Sequence, residues 1–168
     1  NNRLPTGMEV GRIEALENAG GIYLDHVCGS FDMDLKGMKI VIDCANGAAS
    51  PLAGEALKRM GADVIAHNTD VSGSHINKDC GSTHPGTLSK IVVREKALLG
   101  FAYDGDGDRV IACDSRGNIL DGDSIIAFCA INMARNGMLE KKTVVTTIMA
   151  NMGFDKLLSG YGIEVLKT

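Results

Sequence analysis

The 168-residue chain has no tryptophan, only three prolines and 4% aromatic residues, so it lacks the aromatic surface of a binding module. It has no C-x-x-C pair. Its five cysteines (Cys28, Cys44, Cys80, Cys113, Cys129) are odd in number and widely spaced, which argues against a disulfide framework and a zinc knuckle. Cys80, His84 and nearby His75 match none of the usual zinc spacings. The thiols read instead as reduced, small apolar fillers. No long hydrophobic run is present: the longest, Ile125 to Ile131, falls far short of the roughly 20 residues of a membrane helix. No signal peptide opens the chain. Positive charge is not in excess either, with 17 basic against 21 acidic residues and a net charge of -4, mostly interspersed. A nucleic-acid surface would show clustered Lys and Arg. These absences predict a soluble, cytoplasmic protein with neither a nucleic-acid nor a membrane partner.

What is present suits a Gly-punctuated α/β enzyme domain. Hydrophobic residues make up 45% and charged residues 23%, with 21 glycines, enough to bury a sizeable core. Apolar spacing predicts a helix within residues 4–27, weakened in its middle by Gly20-Gly21, followed by a polar linker from Gly29 to Gly37. Strands are expected at Met38–Asp43, Val64–Ala66 and Leu98–Tyr103, and a hairpin joins Val110–Cys113 to Asn118–Leu120. Helices are expected from Pro51 to Met60, stopped by Gly61, and from His84 to Lys96. A fourth helix, capped by Asp123, runs to about Arg135 with a broad apolar face that includes Ile126, Phe128 and Met133. This alternation predicts a parallel-type sheet with helices packed against it.

The pattern then restarts. Lys142–Thr147, a turn, Phe154–Ser159 and Gly162–Leu166 repeat the order and punctuation of the unit from Lys39 to Ile65. Residues 139–168 therefore read as the opening of a second, related domain, and the chain as a fragment of a longer protein.

The densest chemistry is Asp104-Gly-Asp106-Gly-Asp108-Arg109, directly after the third strand. Ligand groups at the carboxyl end of a strand sit where crevices form in α/β sheets. Glycines between the aspartates let alternate carboxylates turn toward one point. Two unit charges about 4 Å apart repel by roughly 4 kcal/mol at an effective dielectric of 20, and three carboxylates make three such pairs. One arginine cannot cancel that; a divalent cation can, and oxygen-only ligands favour Mg²⁺, then Mn²⁺ or Ca²⁺. Arg109 beside the cluster suits a bidentate grip on phosphate, or it pairs with one of the aspartates. An EF-hand would want Gly where Arg109 stands and Glu where Ser115 stands. A haloacid-dehalogenase type loop would continue with Thr or Val rather than Asp108. Asn46-Gly47 reads as a turn with a possible phosphate contact, His67, His75 and His84 as exposed, and Asp121 and Asp123 as turn and helix cap.

The run D-G-D-G-D-R, with V-I-A-C-D-S-R-G-N-I-L-D-G-D behind it, resembles the metal loop of the α-D-phosphohexomutase superfamily. Ile42 to Ser50, Ile76 to Pro85 and T-V-V-T-T-I-M-A-N-M-G are similar to its bacterial phosphoglucosamine mutase branch; together the resemblance covers residues 36–168. It implies a three-layer α/β/α domain with a mixed, mainly parallel four-stranded sheet at 37–138. Residues 1–36 would be the tail of a preceding domain, and 139–168 the incomplete start of a third. It further implies Mg²⁺ held by Asp104, Asp106 and Asp108, with a phosphoserine oxygen as another ligand and Arg109 assisting the phosphate catalytically. The implied reaction interconverts glucosamine 6-phosphate and glucosamine 1-phosphate through that phosphoserine and a bisphosphate, on the route to UDP-N-acetylglucosamine. The implied partners are a phosphorylated amino sugar and the remaining domains.

The family's Ser-His-Asn-Pro phosphoserine loop is missing from this chain. Ser82-Thr83-His84-Pro85 is only superficially similar and falls in the second domain. The isolated chain is therefore expected to be inactive. Alternatives are a phosphoglucomutase or phosphomannomutase of the same superfamily, or a non-catalytic metal-binding α/β module.

Overall fold

In the computed structural model, residues 10–168 are described. The centre is β1 (Lys39–Asp43), whose alternating Ile40, Val41 and Ile42 are buried on both sides. Such a strand needs cover on two faces. Ile40 and Ile42 face a cluster with Cys44, Ala53, Leu57 and Met60, built by α2 (Ala53–Arg59). Val41 faces the opposite cluster with Leu88, Ile91 and Val92 of α3 (Gly86–Arg94). The result is the expected three-layer α/β/α arrangement.

β1 pairs in parallel with β2 (Asp63–His67) on one side and β3 (Leu99–Tyr103) on the other. β4 (Val110–Asp114) runs antiparallel to β3, and β5 (Ile119–Leu120) antiparallel to β4. The order is β2-β1-β3-β4-β5, so the sheet has five strands rather than the expected four. The strand beyond that count of four is the two-residue β5, the second arm of the hairpin expected from the sequence, held in register because Asp114 Oδ1 accepts from Arg116 N at 2.9 Å and Asn118 N at 2.8 Å around Gly117. Gly100 in β3 has a packing reason. A Cβ there would lie 2.5 Å from Val92 Cγ2 and 3.0 Å from Leu88 Cδ1, so glycine lets α3 sit close on the sheet.

Two helix expectations need correction. The first helix, α1, spans Ala19–Gly29, not most of 4–27; residues 4–9 lie outside the described residues. Val10, Ile13 and Leu16 are exposed, while Leu24 alone in α1 is buried. Gly20-Gly21 thus falls in the first turn, where the helical cost of glycine matters least. The cap of α4 (Gly122–Arg135) is Asp121, not Asp123: its Oδ1 accepts from Ser124 N at 2.9 Å and Ser124 Oγ at 2.7 Å. The broad apolar face also narrows to buried Ala127 and Ala130 with partly buried Ile131 and Ala134 beside them, while Ile126, Phe128 and Met133 are exposed.

The repeated unit forms as a second β-α-β. β6 (Thr143–Thr146) and β7 (Glu164–Lys167) pair in parallel, joined by α5 (Met152–Gly160), whose cap Asn151 accepts from Phe154 N at 2.9 Å. Phe154, Leu158 and Ile163 share a core with Ala127 and Ala130, so α4 packs into this second unit. Among the described residues no helix is long and apolar enough to cross a membrane.

Candidate metal centre

Residues 104–109 form the hairpin loop between β3 and the antiparallel β4, at the carboxyl end of the parallel strands. The backbone closes at its root, where Asp104 N donates to Arg109 O at 3.3 Å and Gly107 N donates to Asp104 O at 3.1 Å. Gly107 has φ +75°, a left-handed conformation that glycine adopts without strain. One ligand oxygen from each of Asp104, Asp106 and Asp108 lies within 4.8 Å of the others. The three residues singled out by their spacing are therefore brought together. Asp104 is only 1% exposed, whereas Asp106 and Asp108 face solvent.

Arg109 folds back on the cluster. Its backbone N donates to Asp104 Oδ1 at 3.1 Å and its Nε to Asp104 Oδ2 at 2.8 Å, with Asp108 Oδ1 at 3.5 Å from the same Nε. The side chain remains 71% exposed, and its Nη groups have no hydrogen-bond partner among the described residues. So the aspartate pairing uses one edge of the guanidinium and leaves the outer fork for an anion.

Burial by itself would push the Asp104 carboxyl up, but hydrogen bonds from the Arg109 backbone and side chain reverse this and hold it below the usual carboxylate range. Asp108 moves the other way: its side-chain contact with Asp104 raises it first, followed by the negative charges of Asp104 and Asp106. Arg109 is held firmly protonated, chiefly by its bond to Asp104. One guanidinium among three carboxylates leaves negative charge uncompensated.

The donor set fits a hard divalent ion. Octahedral oxygens about 2.1 Å from a metal stand roughly 3.0 to 4.2 Å apart, so a cluster spanning at most 4.8 Å needs little closure. The Asp104 oxygens that accept from Arg109 retain lone pairs for a cation.

Two neighbouring loops hold this hairpin in place. Ala48 N, after β1, donates to Gly105 O at 2.9 Å. Gly47 comes so close that a Cβ there would fall on the Gly105 carbonyl, and a Cβ on Gly105 would lie 2.7 Å from Asn77 Nδ2. Asn46-Gly47 therefore braces loops: Asn46 Oδ1 accepts from Asp70 N at 2.9 Å and its Nδ2 donates to His75 O at 3.2 Å. Sequence reasoning missed Asp43, 2% exposed, which accepts from Ala45 N and Gly81 N, both at 3.0 Å. The available signal was a carboxylate ending an otherwise apolar buried strand.

The other candidates are engaged elsewhere. Cys80 is buried, with Asn46 Nδ2 3.8 Å from its Sγ. His75 Nδ1 lies 3.2 Å from both Asp70 Oδ2 and Ser74 Oγ, and His84 Nδ1 3.1 Å from Thr83 Oγ1. His67 is not in the loop but ends β2, half-buried, its carbonyl accepting from Cys44 N at 3.0 Å. All five thiols are free; burial raises Cys44 to about 11, with Asp43 adding to the effect. A groove of about 430 Å³ between α1 and α2 reaches Asp106 and Gly107, but its walls are mostly apolar (Leu24, Val27, Leu52, Leu57) and offer little to a sugar phosphate.

The α/β/α architecture matches a known family. Residues 22–117 match the model described as phosphoglucomutase/phosphomannomutase, alpha/beta/alpha domain II, and residues 121–168 match domain III. The chain belongs to the phosphoglucomutase/phosphomannomutase family.

Within it, the chain is 48% identical over 165 residues to a phosphoglucosamine mutase of Caldanaerobacter subterraneus subsp. tengcongensis, covering 98% of this chain and 37% of that protein. It is likewise 48% identical over 164 residues to a phosphoglucosamine mutase of Desulforamulus reducens, with the same 98% and 37% coverage. The chain thus spans 37% of the length of these curated relatives. Among solved structures, a phosphoglucomutase/phosphomannomutase family protein from Burkholderia thailandensis superposes with TM-score 0.72 at 28% identity, covering 89% of this chain and 33% of that one. An N-acetylglucosamine-phosphate mutase in its apo form shares the fold, with TM-score 0.60 at 21% identity, covering 89% of this chain and 36% of that one.

Proposed function

We propose that this chain is the metal-loop part of a cytoplasmic, Mg²⁺-dependent phosphoglucosamine mutase, which interconverts glucosamine 6-phosphate and glucosamine 1-phosphate. The observation that carries this reading is the cluster of Asp104, Asp106 and Asp108 within 4.8 Å, with Arg109 attached, in a chain 48% identical to proteins of that name. A pure cation store would have no use for the adjoining positive charge. In this reading the first α/β/α unit gives way to the opening of the second before α4 rather than at the expected 138/139; the core that α4 shares with α5 and the family matches to 22–117 and 121–168 support that earlier boundary.

In this reading Asp104, Asp106 and Asp108 hold the ion, which supplies charge neutralisation at a phosphate oxygen when bound. Asp104 has a second task. By accepting from Arg109 Nε it fixes the guanidinium plane, so that the free Nη fork can grip a phosphate bidentately. Positioning and charge neutralisation are most of what phosphoryl transfer asks of a protein. The phosphoserine that gives its phosphoryl group to the hexosamine phosphate, and regains one from the bisphosphate, lies in the part of the enzyme outside this chain.

The test is ³¹P NMR of the full-length protein with Mg²⁺ and a catalytic amount of hexose bisphosphate. Glucosamine 6-phosphate should convert to the 1-phosphate faster than glucose or mannose 6-phosphate, and the isolated 168-residue chain should convert none. Equal or better turnover of glucose or mannose phosphate would move the protein to another branch of the family. Turnover by the isolated chain would overturn the division of labour.

A further inference from the structure

We propose that Asp43 is a positioning residue for the metal loop, acting through the two loops that grip Gly105; this rests on the metal reading of the Asp cluster. Asp43 and Asp104 are the two charged side chains buried among the described residues, at 2% and 1% exposure, and only Asp104 belongs to the acidic cluster. Asp43 ends β1, where the apolar alternation would otherwise continue. Its Oδ1 accepts from Ala45 N and its Oδ2 from Gly81 N, both at 3.0 Å, across 38 residues of sequence in the second case. One carboxylate thereby joins the loop after β1 to the turn that follows the long β2 loop.

Everything around this tie is too close for adjustment. Gly81 has φ +71°, and a Cβ on it would lie 2.5 Å from Tyr103 O and 2.6 Å from Ala45 Cβ. Tyr103 is the residue before Asp104. Ala45 O accepts from Asn77 N at 2.9 Å, which binds the two loops a second time. From these loops Ala48 N holds the Gly105 carbonyl, and Ile76 and Asn77 close over the Gly105 Cα. The spacing between Asp104 and Asp106 is thus set from outside the hairpin, by a clamp that Asp43 keys. A carboxylate suits the position because both partners are backbone donors. Asparagine offers one acceptor and one donor, so either rotamer turns an N–H toward an amide N–H. Groups hydrogen-bonded directly to metal ligands alter affinity by about 10–100-fold when changed; Asp43, one step further out, is expected near the lower end of that range.

The experiment compares the full-length protein with its D43N and G47A variants by Mn²⁺ binding (electron paramagnetic resonance) and by thermal melting. G47A leaves Asp43 intact but drives a methyl group into the Gly105 carbonyl. The expected result is a Mn²⁺ dissociation constant raised about tenfold or more in folded D43N, and a similar rise in G47A. A purely structural Asp43 would lower the melting temperature and leave the affinity of the folded protein unchanged. Affinity within twofold of the parent in folded D43N overturns the proposal; if D43N does not fold, the same result in G47A overturns it. A parent protein that binds no Mn²⁺ removes the metal reading itself, and this inference with it.

Discussion

On the proposed mutase reading, replacing Asp106 with asparagine in the full-length protein is expected to lower turnover by at least about a hundredfold while the fold survives. The lower bound comes from outer-shell changes, which by themselves cost about 10–100-fold in metal affinity or activity; a direct ligand should exceed it. Asp106 is the informative member of the trio. It is exposed, makes no hydrogen bond among those of the described residues, and lines no core. Asparagine keeps its size and one oxygen, removes the charge and puts an NH2 where the second ligand oxygen stood. Surface changes of this kind usually move stability by less than about 0.5 kcal/mol, so the melting temperature should stay put. Steady-state kinetics with glucosamine 6-phosphate at saturating Mg²⁺ checks it, and undiminished turnover would remove Asp106 from the ligand set. Asp104 is the poorer probe, because it is buried and bonded to Arg109, so its loss would disturb the hairpin and the metal together.

Leu88→Ala has the largest expected effect on stability. Leu88 is fully buried on α3, against Val41 of β1 and over Gly100 of β3. Truncating a buried leucine costs about 2–5 kcal/mol, from lost transfer energy and the cavity left behind. Domains of this size hold roughly 5–15 kcal/mol in all. Refilling is hindered because Gly100 contributes no side chain and β1 is pinned by partners on both sides. Urea denaturation should show the midpoint fall with the slope unchanged. A loss under about 1 kcal/mol would mean that α3 collapses onto the sheet, and that the α3-side core is looser than its burial implies.

The two helix–sheet contacts were legible in the sequence because each has a local signal. The β-branched run at Lys39–Asp43 has no competing pattern, and Gly61, at φ +99°, stops α2 where a left-handed residue is needed. The acidic cluster was legible for the same reason: its members are neighbours in the chain, and the glycines between them let the carboxylates turn toward one point. What failed depended on competition between near-equal choices. Asp121 and Asp123 both flank Gly122, and only the position of Ser124 decides which of them caps α4. The apolar residues of α4 outnumber what Ala127 and Ala130 can cover, so composition overstated the buried face. Arg109 had two readings: the pairing with Asp104 through Nε is observed, and the Nη groups stay free for the phosphate grip proposed above. The Asp43 clamp was out of reach, since its partner Gly81 is 38 residues away and becomes a neighbour only when β1 and β3 pair.

The central claim is that the hairpin after β3 is a divalent-cation site. Crystals of the full-length protein grown with Mn²⁺, with data collected at the manganese absorption edge, test it most directly. One anomalous peak per chain is expected about 2.1–2.3 Å from an oxygen of each of Asp104, Asp106 and Asp108, as in hard-ion coordination. Density with no ion among these carboxylates, Asp106 and Asp108 turned out into solvent while Arg109 still closes on Asp104, would contradict it.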